Sequence, residues 1–195
     1  MRIVVLICYL LLSNTIAYAA PPSPPSISED EAKQIAKGQV VIQHEQSGQA
    51  GRATAILWVE ASPRRVLDEV MDLEKRQDES SVVTGVTRYR HDPSPEVIGA
   101  TFTITVMGSN TVFHLLYQCR RDAGYCTFAL DPSKKSDLIS ADGYYLVRPE
   151  GSGTMLFYAS RSNTGRNVPG WIARWLAGSS LKGQVQAIRE RAEAK

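Results

Sequence analysis

Polar and apolar residues alternate along most of the middle of this chain. Thr101, Thr103 and Thr105 interleave with Phe102, Ile104 and Val106. A period of two is the mark of a strand with one buried and one solvated face. Similar runs cover residues 39–46, 52–60, 82–91, 97–107, 111–119, 125–130, 138–148 and 154–161. Turn residues separate them, among them Asp92-Pro93-Ser94-Pro95, Gly108-Ser109-Asn110 and Pro149-Glu150-Gly151-Ser152-Gly153. Residues 131–137 read as a polar loop.

Helical patterning interrupts this in three places. Ser28 and Glu31 form a capping box ahead of a short polar helix that stops at Gly38. Its few apolar positions place it loosely at the edge of the domain. Ser62 and Pro63 are an N-cap and a first-turn proline, followed by an apolar face of Val66, Leu67, Val70, Met71 and Leu73. The charged stretch 74–80 then carries the chain around a corner. The third stretch, residues 167–195, enters through Pro169. It carries Leu181, Val185, Ile188 and Ala192 at spacings of four, three and four. The order is a leading strand pair, a helix, six antiparallel strands and a long final helix. An amphipathic helix after such a sheet buries its stripe on the inner face. The expected class is α+β, a curved antiparallel sheet wrapped around a long C-terminal helix.

The first residues stand apart. Arg2, the apolar run 3–12 and Ala17-Tyr18-Ala19 have the parts of a secretory signal peptide, with cleavage after Ala19. The run is too short to span a bilayer. Residues 20–27 hold Pro21, Pro22, Pro24 and Pro25 and read as an extended tether. Residues 28–195 then make one domain, exported to the periplasm or secreted. Apolar residues are 43% of the 195-residue chain, enough for a sizeable core. The net charge of +2 gives no global argument for nucleic acid, and none is expected as a partner.

Cys119 and Cys126 remain once the leader is set aside. With Asp122-Ala123 at the tip of a hairpin they face each other across the strands, within disulfide reach. A turn shifted by one residue would instead leave two buried thiols.

Catalytic patterns are absent. His44, His91 and His114 are the three histidines, and none has metal-ligand spacing. His114 points away from Phe113, Leu115 and Tyr117 by alternation, as a solvent-face or satisfied histidine would. Ser179 and Lys182 have Ser-x-x-Lys spacing without any companion motif. No metal, cofactor or catalytic residue is expected.

Several segments resemble the START-like, helix-grip superfamily (SRPBCC), in its polyketide cyclase and coenzyme Q-binding branch. They are Gly38-Gln39-Val40-Val41 and the run from Ala53 into Ala61-Ser62-Pro63-Arg64-Arg65-Val66. Later come Gly143-Tyr144-Tyr145, Gly153-Thr154-Met155-Leu156-Phe157-Tyr158 and Val168-Pro169-Gly170-Trp171-Ile172. The likeness spans residues 38–193. Tyr145 stands where that family often has Trp, and Val70-Met71-Asp72-Leu73 lacks the Trp often found there.

The resemblance implies a deep apolar cavity between sheet and final helix, holding a lipid, sterol, quinone or polyketide-like molecule. The candidate ligand-binding residues are Phe102, Ile104, Phe113, Leu115, Tyr117, Phe128, Tyr145, Tyr158, Trp171 and Trp175. Alternation alone favours an ordinary packed core, and it is the resemblance that turns the reading toward a cavity. Two other functions fit the same residues: a cyclase or aromatase acting on a polyketide-like substrate, and a protein-interaction module with a vestigial cavity. Arg161, Arg166, Arg174 and Lys182 beside the two tryptophans suit transient contact with an anionic membrane surface, or simply a solvated helix face. Gly170, Gly178 and Gly183 weaken the final helix. They divide it into an anchor, 181–192, and a candidate gate, 169–177.

Overall fold

The computed structural model describes residues 20–47, 50–77, 83–106, 108–163 and 170–194. At 46–47, 50–51, 106 and 170–180 it describes the backbone only. The signal-peptide reading and the passage through Pro169 lie outside these residues.

The elements run α1 (Glu29–Ala36), β1 (Val41–Ser47), β2 (Ala50–Val59), α2 (Pro63–Met71) and a 3-10 turn (Leu73–Gln77). Then follow β3 (Val83–Pro93), β4 (Glu96–Val106), β5 (Ser109–Arg120), β6 (Tyr125–Leu130), β7 (Ser140–Glu150), β8 (Gly153–Asn163) and α3 (Gly170–Glu193). Eight strands form one sheet in the order β1-β2-β8-β7-β6-β5-β4-β3, every pairing antiparallel. Six of the seven pairings thus join strands that are neighbours in sequence. Only β2–β8 joins distant segments, and it is made by the chain returning after the long meander.

Local chemistry sets the helix ends. Glu31 N donates to Ser28 Oγ at 3.3 Å while Ser28 N donates to Glu31 Oε2 at 2.8 Å. Gly38 takes φ +74°, which a side chain would resist, and closes α1. Arg65 N donates to Ser62 Oγ at 3.3 Å at the start of α2.

The main core lies on the inner face. It joins Ala55, Leu57 and Val59 of β2 to Val66, Leu67 and Val70 of α2 and to Leu181, Val185, Ile188 and Ala192 of α3. The whole expected stripe of α3 is buried. Each fully buried Leu, Ile or Val contributes roughly 1.5–3 kcal/mol. Polar ties fix the end of α3. Arg189 Nη1 donates to Gly38 O at 2.8 Å, Glu60 N donates to Glu193 Oε1 at 2.9 Å, and Arg191 Nε donates to Glu69 Oε2 at 2.9 Å.

A second cluster covers part of the outer face, which simple alternation leaves to solvent. Ile56 and Phe157 pack there with Val41, Tyr125, Leu146 and Ile35, joined by Ile27, Trp58, Tyr144 and Met155. The reason is in β2, whose Ala-Ile-Leu-Trp-Val run is apolar on both faces. Helix α1 therefore lies on the sheet through Ile35 rather than loosely at its edge. The proline-rich residues follow it: Gln43 Nε2 donates to Ser26 O at 2.9 Å and Tyr144 Oη to Ser23 O at 3.4 Å.

Candidate functional site

Strand register builds an aromatic band across the inner face. Phe102 pairs with Phe113, Tyr117 with Phe128, and Tyr145 with Tyr158, each directly across neighbouring strands. Such cross-strand aromatic pairs stabilise a sheet by up to about 1 kcal/mol each. Phe102 and Phe113 stack with centroids 5.5 Å apart, and Tyr145 and Tyr158 stack at 4.3 Å. Phe128 links the groups, at 5.4 Å from Tyr117 and 6.0 Å from Tyr145. Gly143 makes room for it, since a Cβ there would meet Phe128 Cζ at 2.4 Å and Ala159 O at 2.1 Å. Leu115 is buried in the same cluster and Ile104 packs against it half-buried.

Eight of the ten candidate ligand-binding residues are thus brought to one face. Trp171 and Trp175 are on the first turns of α3, and their side chains lie outside the described residues. So do those of Arg166, Arg174 and Ser179. Arg161 is paired with Asp142 at 2.9 Å, and Lys182 is exposed.

Sequence reasoning missed Arg76. It is buried at 4% exposure inside the aromatic band. Its Nη1 donates to Tyr117 Oη at 3.2 Å and its Nη2 to Val70 O at 2.9 Å. Its guanidinium lies over the Tyr145 ring at 5.0 Å and the Tyr117 ring at 5.6 Å. The charged stretch around it reads as solvated, but a 3-10 turn eclipses residues three apart. Leu73 is fully buried, so Arg76 follows it inward. That spacing is the signal in the sequence.

Burial favours the protonated form of two phenols in this cluster, Tyr117 and Tyr145. Burial pushes Tyr117 up to about 12, against the opposing pull of Arg76. Burial raises Tyr145 well above the ordinary tyrosine range. Tyr145 is fully buried, with its ring stacked on that of Tyr158.

Cys119 and Cys126 stand in register and are joined as a disulfide, with the hairpin turn spanning residues 121–124. Met71 Sδ lies 3.2 Å from each sulfur. His114 is half-buried on the outer face and shares a 2.9 Å hydrogen bond with Thr101 Oγ1. Among the described residues no group of His, Cys, Asp and Glu could hold a metal ion, and no helix is long and apolar enough to cross a membrane.

A recess of about 380 Å³ lies elsewhere, between the start of α2 and the β5–β6 turn. Pro63, Arg64, Leu67, Arg121, Asp122, Gly124 and Val147 line it. None of the candidate ligand-binding residues reaches it. Its Arg121 is tied to Glu96 at 2.6 Å and to Asp68, which makes it a salt-bridged surface dent. The inner face instead carries the aromatic band, with Arg76, Tyr117 and Tyr145 buried in it.

No family model and no curated protein matches this sequence. Solved structures do match. A STAR-related lipid transfer protein from Xanthomonas axonopodis aligns at 12% identity over 80% of this chain and 99% of its own, with a TM-score of 0.63. The Zhui aromatase/cyclase from a Streptomyces species aligns at 10% identity over 74% and 94%, with a TM-score of 0.63. A START superfamily protein from Mycobacterium smegmatis aligns at 18% identity over 77% and 98%, with a TM-score of 0.61. At these identities the likeness is one of fold. The chain has the helix-grip α+β fold of the START-like proteins.

Proposed function

We propose that this is an exported protein that binds or carries a hydrophobic small molecule on the inner face of its sheet, beneath α3. The observation that carries the reading is the aromatic band from Phe102 to Tyr158, which shares one core with α3. A similar structure is named a lipid transfer protein, which supports an apolar ligand. The leader-like residues 1–19 support export, and the Cys119–Cys126 disulfide fits an oxidising compartment. Helix α3 is tied to the fold near its end, through Arg189, Arg191 and Glu193. Ligand passage is then a task for its first turns. Binding of phospholipids, fatty acids, sterols and quinones by the purified protein tests this. Saturable binding of one class is expected, and no binding across the panel overturns the reading.

One observation favours a second reading. Arg76 Nη1 and Tyr117 Oη lie 3.2 Å apart in a buried site, a donor pair able to polarise a carbonyl. A similar structure is named an aromatase/cyclase. On this reading the protein turns over a polyketide-like substrate, and Arg76→Lys abolishes turnover while leaving binding within a few-fold. Binding without turnover of such substrates leaves the carrier reading standing alone.

A further inference from the structure

Three sulfurs meet in the core, one each from α2, β5 and β6. Met71 Sδ lies 3.2 Å from the Cys119 sulfur and 3.2 Å from the Cys126 sulfur. Met71 and Cys119 are 3% exposed and Cys126 0%. The other buried apolar residues of α2 and the turn after it are aliphatic: Val66, Leu67, Val70 and Leu73. A leucine at position 71 would fill similar space. The methionine instead sets a soft thioether against the two cysteines.

A buried cation stands beside them. Arg76 Nη2 donates to the carbonyl of Val70, the residue before Met71. Its Nη1 donates to Tyr117, two residues before Cys119 on the same face of β5. A guanidinium held there offsets negative charge on nearby sulfurs. The recess at the start of α2 supplies an approach. Its Leu67 precedes Met71 by one helical turn. Its Val147 lies two residues beyond Tyr145, the register partner of Cys126.

We propose that the reduced protein binds a soft monovalent cation, the cuprous ion, through Cys119, Cys126 and Met71. The disulfide closes this site. A dithiol reductant opens it by exchange: two electrons and two protons pass to the cystine sulfurs, their bond breaks, and the dithiol leaves as its own disulfide. The cuprous ion then bonds to three sulfurs. The two thiols release their protons to water, and copper keeps its oxidation state. One cuprous ion on two thiolates leaves one negative charge, which Arg76 balances. Thiolate and thioether donors select this ion. Zinc asks for four ligands, and among the described residues no His, Asp or Glu joins the cysteines in a metal-holding group. In an oxidising compartment the site stays shut until a dithiol reaches it.

The test is anaerobic titration of the reduced, desalted protein with cuprous ion held by bicinchoninate. The reduced wild type is expected to withdraw one copper per chain, with X-ray absorption showing three sulfur neighbours. The disulfide form withdraws none. Met71→Leu conserves volume and keeps its fold by circular dichroism. It binds at least about tenfold more weakly, since even an outer partner of a metal ligand is worth that much. Failure of the reduced protein to withdraw copper, or loss of its fold on reduction, overturns the proposal. So does equal affinity in Met71→Leu, which assigns binding to the cysteine pair alone. The carrier reading stands or falls separately, on the lipid and quinone panel.

Discussion

Arg191 of α3 donates from Nε to Glu69 Oε2 of α2 at 2.9 Å, and its own carbonyl accepts from Arg65 Nη2 at 3.1 Å. Glu69 is 7% exposed at its side chain, so this link sits almost out of water. It closes a loop between the two helices that cover the inner face. Arg65 at 3.2 Å and Lys75 at 3.6 Å also face the same carboxylate.

Arg191→Ala is expected to destabilise the fold by roughly 1–3 kcal/mol. The loss stays below the full cost of stripping a buried charge because Arg65 and Lys75 remain beside Glu69. At about 2–4 °C per kcal/mol for a chain of this size, thermal denaturation should show a drop of several degrees. An unchanged melting temperature would mean the link is incidental.

Gly143→Ala should be far more damaging than its one added methyl suggests. The new Cβ would meet the Ala159 backbone oxygen at 2.1 Å, and a backbone in a central strand pair cannot move aside. Phe128 would be displaced as well. Loss of more than about 3 kcal/mol, or no soluble protein, is expected. A variant as stable as the wild type would show that β7 and β8 are not packed this closely.

Alkaline pH should unfold the protein through its buried phenols. Tyr117 is raised in the folded state to about 12 from 10.0, and Tyr145 is raised in the same direction. Above the unfolded value the unfolded chain binds fewer protons, so stability falls as pH rises. It is fully present below pH about 10 and about 2–3 kcal/mol is lost through Tyr117 by pH about 12. Tyrosinate absorbance followed alongside circular dichroism checks this. Part of the absorbance change should coincide with unfolding; complete titration of a still-folded protein near pH 10 would contradict it.

Removing the disulfide by Cys119→Ala with Cys126→Ala should cost about 2–3 kcal/mol. Its sequence separation is only seven, so the constraint on the unfolded chain is modest. A reductant should lower the melting temperature of the wild type and leave the double variant unmoved. Insensitivity of the wild type would indicate that the two sulfurs are not bonded in solution.

Much of this fold could be read from residue spacing. The Ser28–Glu31 box, the Ser62-Pro63 helix start, the Leu181–Ala192 stripe and the facing of Cys119 and Cys126 are all local patterns, and local patterns survive folding. Features set by tertiary contact were harder to see. Alternation assigns one face of the sheet to solvent, yet Ile56 and Phe157 are sealed on that face by Ile35 of α1. In β3 the register shifts between Arg88 and Arg90, which simple alternation cannot anticipate. Arg76 is masked by the charged residues around it, although Leu73 three residues earlier marks its direction.

Gly178 lies inside α3, which runs unbroken from Gly170 to Glu193. Gly178→Ala should raise stability by about 0.8–1 kcal/mol through helix propensity. If the first turns of α3 open for ligand passage, the same change slows release of a bound ligand in stopped-flow measurements. A stabilised variant with unchanged release would take the gate out of the account.

The central claim is that the inner face holds an apolar molecule, and the most direct measurement is native mass spectrometry of the protein purified from its own cells. The account predicts a mass adduct of one hydrophobic small molecule that dissociates on collisional activation or denaturation. A spectrum of bare protein, together with no binding to a lipid and quinone panel, would contradict it.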